Sequence, residues 1–166
     1  MISMYKLLFL FVICFSLNAS AKVRSLNVNE ISSYSDVIVI AEIVSVSTKN
    51  KNEKIAKTKA IKVLKGEIPN EFEFGASPSW ECDISYAVSG ESVLLFLNRV
   101  KGKKIYSVAH SGRGYMPIRV IANKKYIAVP LDVKVPEDAP KIQSEKHEHF
   151  SNETVELEYV TSKINP

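Results

Sequence analysis

Cysteine, histidine, tryptophan and glycine are all scarce in this chain. Two cysteines in 166 residues exclude a scaffold held by many disulfides. Six glycines exclude a collagen-like repeat, and 46% apolar residues exclude broad disorder while providing for one core of domain size. The longest apolar run, Leu7 to Phe15, has nine residues, well short of the ~20 that a membrane-spanning helix needs. Excess charge is small as well. Twenty-two Lys and Arg against 18 Asp and Glu give +4, which by itself implies no polyanionic partner. No internal repeat is visible, and no segment is of low complexity.

What is present at the N-terminus is an address. Lys6 precedes the apolar run, and Ala19, Ser20 and Ala21 follow it. A positive start, an apolar stretch and small residues at the end are the three parts of a secretory signal. Residues 1–21 are therefore expected to leave, with cleavage before Lys22. Ile13 stands before Cys14, where a lipid-modified cysteine would need a small residue, so no lipid anchor is expected. Removal of Lys6 leaves 21 Lys and Arg against 18 acids, a net +3. Export to the periplasm or the medium argues against cytoplasmic DNA or RNA as the target. Cys14 departs with the signal and leaves Cys82 without an intramolecular partner. A free cysteine packs like a small hydrophobe, so burial is the expected state.

The rest of the chain reads as strands with helices at its ends. Asn27 followed by Glu30 is a capping pattern for a short helix over 28–34. Asp36 to Ser47 is rich in Val and Ile, apolar at both parities in its first half, as in a strand covered on both sides. Ile55 to Lys65 carries a phase slip. Lys57 and Lys59 share a parity that Lys62 breaks, and an extra residue near Ala60 would return all three to one face as a β-bulge. Glu71 to Gly75 alternates, with Phe72 and Phe74 inward. Ser92 to Asn98 is apolar on both faces and reads as a central strand. Lys101 to Lys103 is a turn, Ile105 to Ala109 the return strand, and Ile118 to Val129 a hairpin around Asn123 and Lys124. Residues 132–150 read as an extended arm or linker. In the terminal segment, 151–166, Ser151 or Asn152 is expected to cap a helix near 154–164, with Leu157, Val160 and Ile164 on one face. The whole predicts a mainly β chain: residues 22–131 form a small Greek-key barrel of OB-fold type, with a short N-terminal helix and a C-terminal helix.

Several of these stretches resemble a known family. Asp36 to Val46, Val63 to Gly66, the cysteine of the middle loop, Gly90 to Leu97 and the Gly-rich turn at 112–114 are similar to segments of bacterial proteins related to the tissue inhibitors of metalloproteinases. These belong to the netrin-like OB-fold group. The resemblance covers roughly residues 26–121 and the final helix. It implies an OB barrel; its motifs are patterns of strand and turn, specific for fold and weak for function. The chain departs from the animal inhibitors in beginning its mature part at Lys22, because those use a leading cysteine to chelate a protease zinc. It also has Ala109, His110 and Ser111 where many bacterial relatives place a second cysteine, so their bridge is absent.

Four groups are candidates for function. Cys82 and His110 would meet if the middle loop and the strand end adjoin as in the relatives, and an imidazolium there would favour a thiolate. No Asn or Asp is in place as an orienter. His147 and His149 would share one side of an extended segment as metal ligands, although zinc normally takes three or four. Lys57, Lys59 and Lys62 form a ridge suited to anionic glycans or lipid head groups, or to guarding a strand edge. Trp80 is a candidate anchor on its loop. The expected function is that of an exported, non-enzymatic binding module for a protein or an extracellular polymer. Its surface is expected at one barrel end, formed by the 48–54 and 76–90 loops. No motif requires a cofactor, and no nucleic acid or membrane span is expected. The alternatives are a thiol-dependent or hydrolytic enzyme built on Cys82 and His110, and a metal-binding protein built on His147 and His149.

Overall fold

The computed structural model describes residues 24–50, 53–77, 87–144 and 149–164. The expected signal, Trp80, Cys82 and His147 lie outside them. The chain is mainly β, with a closed five-stranded barrel and a short C-terminal helix. Strand β1 (Leu26–Asn27) leads into helix α1 (Val28–Ser33). The capping pattern is realised in full. The Asn27 side chain accepts from the Glu30 N–H, and the Glu30 carboxylate accepts from the Asn27 N–H, both at 2.9 Å. The two bonds satisfy orphan donors at both positions.

The barrel consists of β2 (Val37–Asn50), β3 (Glu53–Lys65), β4 (Glu71–Gly75), β5 (Ser92–Arg99) and β6 (Ile105–Val108). Around the circle the order is β2-β3-β4-β6-β5, closed by the β5–β2 pairing. All pairs are antiparallel except β4 with β6, where Glu73 faces Ile105 and Phe74 faces Tyr106 in parallel. This order, with its single parallel pair, is that of an OB-type barrel.

The second sheet leaves the barrel through β5. Strand β7 (Tyr115–Ile121) pairs with Val93 to Leu95 of β5, and β8 (Lys124–Pro130) pairs with β7. Ala122 and Asn123 make the β7–β8 turn with φ of 49° and 64°. Two consecutive positive φ values are what a tight hairpin turn of this hand needs. Strands β9 (Val133–Lys134), β10 (Lys141–Gln143) and β11 (Phe150–Glu156) and helix α2 (Leu157–Ser162) complete the chain. Two expectations change here. The stretch 132–150 is not free of structure: β9 pairs with β1, β10 pairs with β11, and Val133 and Ala139 are buried. The expected helix over 154–164 begins only at Leu157. Residues Phe150 to Glu156 are drawn into β11 because β8 offers them a pairing edge, and Thr154 and Val155 are buried there.

Two cores lie on opposite sides of the β2–β5 wall. Val37, Val39, Ala41 and Ile43 of β2, with Val93, Leu95 and Leu97 of β5, fill the barrel together with Phe72, Phe74 and Tyr115. Ile38, Leu94 and Phe96 face the other way. They pack with Met116, Ile127, Val129 and Val155, under Val28 and Ile31 of α1 and Leu157 and Val160 of α2. A strand buried on both faces has no polar parity, which accounts for the continuous apolar runs read from the sequence.

The β6–β7 connection is the tightest point in this wall. Val108 pairs with Leu97 and Tyr115 with Leu95, so residues 109–114 are extruded from what is otherwise one antiparallel strand along β5. Phe96 holds both ends of the loop. Its carbonyl accepts from the Ala109 N–H and its N–H donates to the Gly114 carbonyl, each at 2.9 Å. A Cβ on Gly114 would lie 2.6 Å from the Phe96 carbonyl oxygen and 2.9 Å from Phe96 Cβ. Replacing Gly114 by Ala is therefore expected to destabilise the protein by about 2 kcal/mol, the usual scale for overpacking a tight contact. Gly75→Ala, where an added Cβ would lie 4.0 Å from the Tyr106 carbonyl oxygen, is expected to change stability by less than ~0.5 kcal/mol. Urea unfolding of the two variants tests the contrast.

Candidate binding site

Lys57, Lys59 and Lys62 are all exposed on β3. Lys59 lies opposite Glu42, and Lys62 lies opposite Ile40. Both partners are on the outer face of β2, since their neighbours Val39, Ala41 and Ile43 fill the barrel. The register slips between the Ile40–Lys62 and Ala41–Ala60 pairs, leaving Ile61 as the extra residue. The bulge expected near Ala60 is there, and the three lysines share the outer face. Their surroundings differ, however. The last β3–β4 pair is Lys59 with Glu71, after which the Ala60 N–H donates to the Asn70 carbonyl at 2.8 Å. Ile61, Lys62 and Val63 continue β3 past the end of β4. Bulges at Ile61 and again at Leu64, with a lysine between them, are devices that keep such an edge from pairing with another chain. Lys57 has a different neighbourhood.

Lys57 lines a cleft of about 840 Å³ between the barrel face and the β5–β6 hairpin. A cleft of this size falls within the usual range for ligand sites, ~300–1,000 Å³. One wall is β3 and β4, with Lys57, Thr58, Glu71, Phe72 and Glu73. The other is the hairpin, Arg99 to Lys104, continuing into Ile105 and Tyr106. The hairpin is set at its base. The Arg99 N–H donates to Asp36 Oδ2 at 2.7 Å, and its guanidinium donates to the Glu67 carbonyl at 3.0 Å. Its tip closes through a bond from the Lys103 N–H to the Val100 carbonyl at 3.0 Å, with Gly102 at a φ of 74°. The Tyr106 ring meets Phe72 edge to face, with centroids 5.9 Å apart.

Five cationic side chains line the cleft: Lys57, Arg99, Lys101, Lys103 and Lys104. Two carboxylates, Glu71 and Glu73, accompany them. Glu73 lies opposite Lys57, and Glu71 opposite Lys59, in the β3–β4 register. Among the described residues, none of these charged groups forms an ion pair with another. Thr58 is 2% exposed, and its hydroxyl has no hydrogen-bond partner. That side chain faces the barrel interior, opposite Ile43 and Phe72, so the cleft itself combines positive charge and two open acceptors with apolar packing surface at Val44 and Ile105.

His110 lies elsewhere, in the extruded loop. It and Ser111 have φ of 51° and 57°. The imidazole packs edge to face on Tyr34 with centroids 5.6 Å apart, and Nε2 is buried with no partner. Arg113 is 6% exposed, donates to the His110 carbonyl at 2.9 Å and is ion-paired with Asp132. Burial, then the Arg113 charge, lower the His110 pKa, with Glu30 opposing. These contacts tie the loop to α1 and to the β8–β9 turn. Any chemistry with Cys82 falls outside the described residues, as do Trp80 and the centres of the two loops expected to bind. His149 immediately precedes β11, and its carbonyl accepts from the Leu131 N–H at 3.2 Å. Its expected fellow ligand, His147, also lies outside the described residues. Among those described, no three His, Cys, Asp or Glu side chains are grouped to hold a metal ion, and no helix is long and apolar enough to cross a membrane.

The sequence reading passed over the hairpin cations and the β4 carboxylates. A signal for the first was present: Arg99, Lys101, Lys103 and Lys104 place four cations in six residues without an acid. For Glu71 and Glu73 the alternation gave the outward direction, but nothing local indicated what lies across from them.

The half-buried imidazole gives a pH dependence of known sign. A folded-state pKa below the ordinary value of about 6.5 means that protonation favours the unfolded chain. The stability held by the neutral ring is fully present above that value. It is lost as pH falls through it towards the folded pKa. The urea midpoint should therefore drop between about pH 7.5 and about pH 5, and drop less in His110→Asn, since Asn tolerates the positive φ. Equal drops in both proteins would show that His110 contributes nothing.

The chain matches no protein-family model and no curated protein sequence.

Proposed function

We propose that this protein is an exported, non-enzymatic binding module of netrin-like OB fold, acting in the periplasm or outside the cell, whose cleft takes a protein or an extracellular polymer. The observation that carries this reading is where the cleft lies. In an OB barrel, ligands settle on the face of the second and third strands, between the loop joining strands one and two and the loop joining strands four and five. In barrel order the second and third strands here are β3 and β4, and the fourth-to-fifth connection is the hairpin at 99–104. The cleft occupies that face. This moves the binding surface from the barrel end, expected from the 48–54 and 76–90 loops, to the side wall under the cationic hairpin. The excess of cations favours an anionic ligand, and exposed cations of this kind raise association rates as well as affinity.

The test is retention of components of the exported fraction by immobilised protein. Lys101→Glu with Lys103→Glu is expected to release the ligand, with affinity falling at least about tenfold, or ~1.4 kcal/mol. Lys124→Glu with Lys125→Glu, an equal charge change on the second sheet, is expected to retain it. Equal losses from both pairs would mean that the whole surface charge is responsible and that the cleft is not the site.

A further inference from the structure

We infer that the ligand of this cleft is a sparsely charged acidic glycan of the uronate type, one carboxylate per sugar with free hydroxyls between. This rests on the cleft being the binding site. Three observations lead to it. The first concerns the backbone. Strand β4 is paired on both sides, with β3 and with β6. The β6 pairing covers Glu73 and Phe74 and leaves Glu71 and Phe72 open on that side, too short an edge for a peptide strand to add, so recognition in the cleft falls to side chains.

The second is the pattern of charge. Glu71 and Glu73 project from β4 into a lining otherwise supplied with cations, and among the described residues neither is neutralised by an ion pair. A densely charged chain, such as a polysulfate or a phosphodiester, would set anions against both carboxylates, and like charges held together oppose binding. An ionised carboxylate is purely an acceptor, and sugar hydroxyls are donors. A uronate chain can place its acid groups under Lys101 and Lys103 and its hydroxyls on Glu71 and Glu73. The third is the apolar surface of Ile105 and Val44 in the same lining, on which the C–H face of a sugar can rest.

The prediction has a sign that pure electrostatics would reverse. Binding of polygalacturonate, dextran, dextran sulfate and polyglutamate is measured by calorimetry with the wild type, Glu71→Gln/Glu73→Gln, Glu71→Gln alone and Lys101→Glu/Lys103→Glu. Circular dichroism confirms that each variant folds. The wild type is expected to bind polygalacturonate and not dextran. The glutamine pair adds two units of positive charge, yet is expected to weaken polygalacturonate binding about fivefold, and the single change about twofold, as charged acceptors are lost. Tighter binding by the glutamine variants would overturn the glycan inference and leave a simple polyanion cleft standing. Binding of polyglutamate without polygalacturonate would replace the glycan by an acidic peptide, and binding of neither would overturn the inference outright. Polygalacturonate binding that survives Lys101→Glu/Lys103→Glu unchanged would remove the cleft reading itself.

Discussion

The pairing of β2 with β5 is the constraint on which the rest of the molecule depends. Six consecutive residue pairs, from Val37 with Leu97 to Glu42 with Ser92, run without a slip. Alternate residues of this wall fill the barrel, and those between them carry the second sheet and both helices. A slip of one residue would exchange the two sets and destroy both cores together. Each large apolar side chain buried here contributes about 1.5–3 kcal/mol, so the register is heavily determined. It also decides which side of the barrel faces outward. The second sheet and the helices cover the β2–β5 side, and the face of β3, β4 and β6 is left open for the cleft.

The extruded loop at 109–114 lets one strand serve two sheets. β6 closes the barrel and β7 begins the second sheet, and a strand without the loop would have to do one or the other. The loop is held by the two Phe96 bonds, the buried Arg113 paired with Asp132, and the imidazole packed on Tyr34. Three consecutive positive φ values at His110, Ser111 and Gly112 turn the chain sharply, and Gly114 admits the Phe96 backbone. His110 belongs to this structural device and is not part of the cleft lining.

The cleft follows a different logic. Its charges are held on a rigid strand and on a hairpin fixed at its base by Asp36 and the Glu67 carbonyl. Side chains presented from a fixed frame lose less freedom on binding than those on a loose loop. Their electrostatics are screened over about 8 Å at physiological salt, so only ligand charges seated in the cleft itself feel the full field. In the proposed binding role, close contact at Glu71 and Glu73 then discriminates between ligands that share a net charge.

Much of the fold was legible in the sequence because the determinants are local. The capping box at Asn27 and Glu30, the doubly apolar strands and the bulge at Ile61 each leave a pattern within a dozen residues. Proximity across the chain leaves no such pattern. Whether 154–156 begins a helix or joins a sheet depends on the edge that β8 offers at Tyr126 to Ala128, which is remote in sequence. The site divides in the same way. Lys57 was singled out as part of a ridge, and the sequence showed its exposure. Its separation from Lys62, and its placement beside Glu73 and the hairpin cations, required β4 to bring Glu71 and Glu73 against β3 and β6 to bring the 99–104 turn over them. The sequence by itself determined the strands, their buried faces and the charge that stays in solvent, because periodicity and solvation act residue by residue. Only the tertiary structure decided which of those charges share a cleft, because that is a matter of strand order around a closed barrel.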